Sequence, residues 1–328
     1  MPGERRYIGI GEETSFGTEQ TSLEYLDFAS AQLDVPDNPG ITFEGAGGGR
    51  GLRIYEPGPY APSGSIEVPV DMERIGWFLK SLFGQVDTTG TGPYLHTFDV
   101  KGSRTPDAYY TIVVGKELLE QAFLGCAVSQ IQFQVDREFL MATVDIVAQK
   151  DQNNSLDTAS KDFPTSYATF RHHTLALDED LSIEIAETVD TDITQYVESF
   201  SMTINNNIDA ASNVRHGSIF PREILYGGMD VSGSVTVAFR NLDEYERFWG
   251  ASGGPEESGA TQFVISSRFQ VGSDTFELFA NKARWTNVSA PVQGRDRMTQ
   301  TLSFQSLWSD DSGKGPAQAF LSNSKESY

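Results

Sequence analysis

The residues able to do chemistry in this chain are few and poorly grouped. The four histidines are His96, His172, His173 and His216. None stands in a His-x-x-x-His pattern, and no Cys-x-x-Cys accompanies them, so the spacing of a zinc site is missing. His172 and His173 are adjacent, and on a strand they would point to opposite sides, which is poor for one metal. The acidic run Asp178-Glu179-Asp180 lacks the spacing of a calcium loop and reads as a solvated turn. The glycine run Gly45-Ala46-Gly47-Gly48-Gly49-Arg50-Gly51 lacks Gly-Lys-Ser/Thr and a following helix, and Gly9-Ile10-Gly11 lacks the helix too, so neither reads as a phosphate cradle. No Gly-x-Ser-x-Gly is present for a serine hydrolase. Carboxylates are plentiful everywhere, so no pair stands out as an acid–base dyad. The expectation is a chain with no catalytic residue, no cofactor and no metal, and not an enzyme.

What the sequence offers instead is patterned polar surface. Gln130, Gln132 and Gln134 alternate with Ile131, Phe133 and Val135, while Thr143 and Asp145 alternate with Val144 and Ile146. Far along the chain Thr299, Thr301, Ser303 and Gln305 alternate with apolar Leu302 and Phe304. Period two places each polar set on one side of a strand. That side is wet, neutral to acidic, and carries no Lys or Arg at these positions. It fits an ordinary solvent face, or a channel wall past which a polyanion could slide without sticking.

Charge gives the chain a solvated acidic surface and excludes other uses. The 328 residues hold 46 Asp and Glu against 24 Lys and Arg, a net charge of −22. A general DNA-binding protein needs basic surface to displace counterions, and this chain lacks it. Only eight of the 24 cations are Lys. Excess acid with little Lys suits a concentrated-salt habitat, where screening shortens self-repulsion to a few Å. The single cysteine, Cys126, lies in the apolar run Phe123–Val128 and reads as a small buried hydrophobe; no intrachain disulfide can form. No apolar run is long enough to span a membrane, and residues 1–6 lack the apolar segment of a signal peptide.

The elements that must position these faces follow in order. Residues 1–20 read as an N-terminal arm anchored by Tyr7 and Phe16. Residues 23–37 alternate as a strand with Ala31, Leu33 and Val35 on one side. A Gly- and Pro-rich loop covers 37–62, and a loop of that length is usually functional or docked on a partner. Strand 64–70 carries Ile66, Val68 and Val70, with Pro69 suggesting an edge or bulge. A helix over 71–83 is capped by Asp71 and buries Ile75, Phe78, Leu79 and Leu82. Strands at 94–100 and 109–114 and the closing pair 130–135 and 140–148 complete the first unit, and a polar linker follows at 149–180. The second unit repeats the plan: strand 196–207, loop 208–231, strand 232–239, helix 242–250, strands 261–269 and 275–280, and a closing pair at 283–292 and 297–308. Residues 310–328 read as a polar tail.

The repetition is specific. At an offset of 169 positions without a gap, Leu33 meets Met202, Val35 meets Ile204, Gly58 meets Gly227, and Ser63-Gly64-Ser65 meets Ser232-Gly233-Ser234. Trp77 falls close to Trp249. Two strands, a loop of equal length and a helix in one order at one offset indicate a tandem duplication. The domains expected are 21–150 and 181–310, flanked by the arm 1–20, joined by a linker 151–180 and followed by a tail 311–328.

The opening Tyr7-Ile8-Gly9-Ile10-Gly11-Glu12-Glu13-Thr14-Ser15-Phe16-Gly17-Thr18 resembles the start of long-tailed, siphovirus-type phage and archaeal-virus tail tube proteins. Phe200–Asn207, then Ser232–Val237 and its helix, are similar to the same family, and the resemblance spans about 5–310. It implies a mainly β fold with one short helix per domain, as two tandem β-sandwich or half-barrel tail-tube domains. It also implies a virion structural protein assembled in the host cytoplasm. Its trimeric rings of pseudo-sixfold symmetry would stack into the tail tube for genome delivery. The implied partners are further copies of the chain, tail-terminator and baseplate or tail-tip proteins. The tape-measure protein and genomic DNA would pass through the lumen without specific binding, and nothing would insert into a membrane. On that reading the polar faces named above line the channel. Tyr55, Tyr60 and Arg50 in the first long loop, Arg215 and Phe220 in the second, and Tyr7 and Phe16 in the arm would bridge subunits or rings. The alternatives are a distal-tail or adaptor ring of related fold, and a carbohydrate- or cell-surface-binding β-sandwich module.

Overall fold

The structure is a computed structural model that describes residues 5–35, 40–43, 54–181, 191–210, 213–257, 259–292, 297–309 and 314–328. The chain is mainly β. Its first half supplies β1 (Ile8–Glu12), β2 (Glu24–Leu26), β3 (Ser30–Ala31), β4 (Ile41–Phe43), β5 (Ile54–Glu56), β6 (Ser63–Pro69), α1 (Ile75–Phe83), β7 (Gly84–Thr89), β8 (Tyr94–Val100), β9 (Tyr110–Gly115), β10 (Glu120–Asp136), β11 (Met141–Val147) and β12 (Lys150–Asn154). The second half supplies β13 (His173–Asp178), β14 (Thr191–Asp192), β15 (Val197–Asn205), β16 (Asp230–Ala238), α2 (Asp243–Trp249), β17 (Phe263–Val271), β18 (Asp274–Ser289), β19 (Thr299–Ser306) and β20 (Ala317–Asn323).

Two long strands organise these elements. β10 bends at Gly125, where φ is +62° and the register shifts between Phe123 and Cys126. A side chain there would press on the Phe16 ring. Before the bend β10 pairs with β9 and β12; after it, with β11 and β15. β18 does the same work in the second half, pairing with β17 and β20 along its first part and with β19 from Ala283 to Ser289. Each half therefore folds its sheet back over a core. Phe133 meets Phe276 at 5.5 Å and Phe263 meets Trp285 at 4.8 Å between ring centroids, all of them buried. The strand pairings branch but do not return on themselves, so among the described residues the sheet stays open.

Each helix follows the inner strand of its half. Asp71 Oδ1 accepts the N–H groups of Glu73 at 2.9 Å and Arg74 at 3.0 Å, and the helix proper begins at Ile75, later than the expected start at 71. Left-handed Gly84 and Gly250, at φ 80° and 81°, close α1 and α2. α1 buries Ile75, Phe78, Leu79 and Leu82 as its 3.6 periodicity predicts.

The 169-residue offset holds at the level of strand register. Ser30 faces Glu67 and Ala31 faces Ile66, as Ser199 faces Thr236 and Phe200 faces Val235. Asp34 faces Ser63 as Thr203 faces Ser232. The paired Ser-Gly-Ser triplets have one cause. A Cβ on Gly64 would stand 2.2 Å from the Gln32 carbonyl oxygen, and one on Gly233 would stand 2.2 Å from that of Ser201. Only glycine admits so close a neighbouring strand.

Several segments expected to be loose are built into the fold. Ile8–Glu12 of the arm is β1, held between β2 and β9. The linker read as 149–180 contains β12 and β13. In the tail, β20 lies between β18 of the second half and β8 of the first, tying the two together. Tyr328 packs on Gly76 of α1 and donates its hydroxyl to the Glu73 carbonyl. These segments alternate or punctuate weakly and become strands because a core edge awaits them. Expected strands at 275–280 and 283–292 are one strand, β18, and the pair member at 130–135 reaches back to Glu120. Pro69 ends β6 opposite Met141; on the β3 side the pairing stops at Glu67, so its missing N–H breaks no bond there.

Candidate functional site

The polar sets read from the sequence come together on one surface. β3, β6, β11, the second part of β10, β15, β16, β19 and the second part of β18 form a single antiparallel sheet in that order. The joint between the halves is the β10–β15 pairing, with Gln132 opposite Thr203 and Gln134 opposite Ser201. Because register is unbroken across that joint, the side chains fall into rows. One runs Glu67, Thr143, Gln132, Thr203, Ser232, Gln305 and Arg284. Its neighbours run Ser65, Asp145, Gln130, Asn205 and Asp230 on one side, and Gln134, Ser201, Ser234, Ser303 and Asn287 on the other. Thr301 stands beside Thr236, and Thr299 beside Ala238. All nine channel-lining candidates from the sequence thus share one face of one sheet.

Neighbours within a row are joined by hydrogen bonds across adjacent strands. Gln130 donates to Asp145 at 3.2 Å and accepts from Asn205 at 2.9 Å; the Ser201 and Ser234 hydroxyls lie 3.0 Å apart. Partial burial among these amides raises the Asp145 carboxyl above the usual carboxylate range. The opposite face is core: Ile66, Val144, Ile131, Ile204, Val235 and Leu302 are all buried.

Reading only the closing strands misses half of the surface. Glu67, Asp136, Thr203, Asp230, Ser232 and Ser234 belong to the same face. Their alternation was visible in 63–69, 197–205 and 230–238; what could not be read was that the two halves share one sheet. The sequence also missed Arg284, exposed at the outer strand opposite Gln305. It is the one cation in the rows named here, against the acids Glu67, Asp136, Asp145 and Asp230.

The loop and arm candidates divide. Tyr55 is 59% exposed on the β4–β5 hairpin. Tyr60 and Phe220 meet each other edge to face at 5.8 Å, and Tyr60 donates to Asp151 at 2.5 Å, so the two long loops touch within one chain. Arg215 is exposed and stands 3.9 Å from Glu223. Arg50 lies outside the described residues. Tyr7 is a correction: it is fully buried in its own chain, donating to Glu120 at 2.7 Å with Lys161 over its ring, because β1 carries it into the core. Burial raises its phenol well above the ordinary range. Phe16 packs on Tyr109 at 4.5 Å. The 208–231 loop is also docked internally, where Tyr226 donates to the Ser81 carbonyl at 2.5 Å and Asn206 to that of Leu82 at 2.6 Å.

The other sequence-flagged groups serve packing. His96 is buried between Thr88 and Asn323, and His173 stacks on Phe269 at 4.4 Å with Ser267 at 2.9 Å. Cys126 is buried, its thiol pushed up by burial. Asp178 accepts from the Asp180 amide, and Glu179 pairs with Arg247. Among the described residues no three His, Cys, Asp or Glu side chains gather as a metal site, and no helix is long and apolar enough to cross a membrane.

The chain is thus mainly β, with a polar, acid-bearing sheet face that spans both halves. The family model of phage tail tube proteins matches residues 3–306, and the chain belongs to that family. It is a structural protein of the virion tail. No curated protein matches the chain.

Proposed function

We propose that the polar sheet face is the wall of the tail channel, and that stacked rings of this chain conduct the genome to the host. The carrying observation is the unbroken row from Glu67 to Gln305 across both halves. Such a wall offers DNA amides, hydroxyls and carboxylates but almost no cation, so a passing polyanion is repelled weakly and held nowhere. The two halves act as tandem tail-tube domains side by side in one sheet. A side-by-side step between like units is heterologous and closes into a ring when repeated. Three copies then give a pseudo-sixfold ring. Closure also removes sheet edges that would otherwise aggregate. The tape-measure protein occupies the same lumen before the DNA, and terminator and tail-tip proteins cap the two ends of a siphovirus-type tube assembled in the host cytoplasm. The acid excess with few Lys suits concentrated salt.

The test is charge on the wall. Gln132→Arg and Ser303→Arg face solvent and should change monomer stability by no more than about 0.5 kcal/mol. Tubes should still assemble, while genome delivery slows. Unchanged infectivity in both variants would remove these residues from the wall.

A further inference from the structure

The sheet has two open edges, and the covered joint inside the chain shows what fits them. At one end the strand containing β3, residues 30–35, pairs among the described residues with β6 alone. At the other, residues 284–289 of β18 pair among the described residues with β19 alone. By the 169-residue offset, 30–35 corresponds to 199–204 of β15. β18 corresponds to β10 through their shared pairing pattern: Gln132 lies opposite Thr143, next to Glu67, as Ser289 lies opposite Thr301, next to Thr236. The two open edges are therefore the same two kinds of edge that meet covered at β10–β15.

Apolar exposure marks what is missing. Ile204 is 0% exposed because Ile131 of β10 stands opposite it. Its counterpart Val35 is 46% exposed. Val135 is 3% exposed against Phe200; continuing the same count, its counterpart is Val292, which is 78% exposed. Each open edge thus shows the apolar residue that the internal joint covers.

We infer that residues 284–292 of one copy pair antiparallel with residues 30–35 of a second copy, in the register of the β10–β15 joint. Val288 then faces Val35, as Ile131 faces Ile204. Ser289 faces Asp34, as Gln132 faces Thr203, and Val292 comes against Ala31, as Val135 faces Phe200. The polar rows continue from copy to copy. This rests on the ring reading and adds the strands and register that close it.

Directly opposed strand residues place Cβ atoms about 4.5–5.5 Å apart and diagonal ones about 7–8 Å apart, so a disulfide distinguishes the two. The experiment uses the full chain carrying Asp34→Cys with Ser289→Cys, and a second variant carrying Asp34→Cys with Asn287→Cys. Native Cys126 is buried and stays silent. Mild oxidation should convert the first variant into covalent dimers and trimers on non-reducing gels, with the second at least tenfold less reactive. Electron microscopy of the unmodified protein runs in parallel. Rings with no cross-link in the first variant, or with preferential cross-linking in the second, overturn the register and leave the ring reading standing. Chains that remain monomeric at every concentration overturn both.

Discussion

The same strand occurs twice in this protein under different conditions. At 199–204 it is covered on both sides; at 30–35 it is covered on one. Sequence differs little between them: apolar Phe200, Met202 and Ile204 correspond to Ala31, Leu33 and Val35, and polar positions alternate with both. Surroundings differ. β15 has β10 and β16 as neighbours, whereas among the described residues 30–35 has β6 alone. Regular pairing with β16 runs unbroken from Ser199 to Asn205, but in the half-covered strand the pairing with β6 is reduced to Ser30–Ala31 and a bridge at Asp34. A strand is thus made as much by the partner it is offered as by its own alternation.

The contrast can be broken most directly at its apolar residues. Ile204→Ala should destabilise the monomer by about 3–4 kcal/mol, because the cavity lies between two fixed strands. Val35→Ala should cost about 0.5 kcal/mol or less, since the side chain is already half in water. Denaturant unfolding of both variants checks this; equal losses would show that 30–35 is as confined as β15.

The two close-packed glycines sharpen the same point. Gly233→Ala would push a Cβ to 2.2 Å from the Ser201 oxygen and 2.5 Å from the Phe304 ring, inside a strand pinned on both sides. The expected loss is about 3 kcal/mol. Gly64→Ala meets the Gln32 oxygen at the same 2.2 Å, but there the opposing strand is free to retreat, so about 1 kcal/mol is expected. Thermal unfolding of the purified monomers separates them, and a larger loss at Gly64 would reverse the argument.

A smaller effect depends on pH. His173 stacks on Phe269 and lies 5.5 Å from Phe200 of the covered strand, and burial lowers its pKa to about 4. The unfolded imidazole takes up its proton near 6.5. His173 therefore contributes stability that is complete above about 6.5 and is lost as pH falls towards 4. After allowance for partial exposure the loss is about 2 kcal/mol. Stability measured from pH 7 to pH 4 should fall less steeply in His173→Asn; identical slopes would show that the imidazole is not buried neutral.

How much of this was legible beforehand follows from the same physics. Alternation exposed the polar face at Gln130–Gln134 and Thr299–Gln305, and the matched Ser-Gly-Ser triplets pointed to the close strand approach shared by Gly64 and Gly233, because both depend on local pattern. Tyr7 was not legible as core, since its cover comes from Tyr25, Glu120 and Lys161, distant in sequence. β20 was not legible as a strand, because its partners lie in both halves of the chain. Nor did alternation reveal that Gln132 and Thr203 are neighbours: a period gives the face of a strand, not the strand beside it.

The central claim is that the β10–β15 joint is repeated between copies so that one polar wall encloses a channel. Electron cryomicroscopy of the assembled protein tests it most directly. The expected map shows one continuous sheet around the ring, with Gln132, Thr203, Ser232 and Gln305 facing the lumen and residues 284–289 hydrogen-bonded to the 30–35 strand of the adjacent copy. A ring in which those strand edges stay apart, or in which that face points outward, would contradict the account.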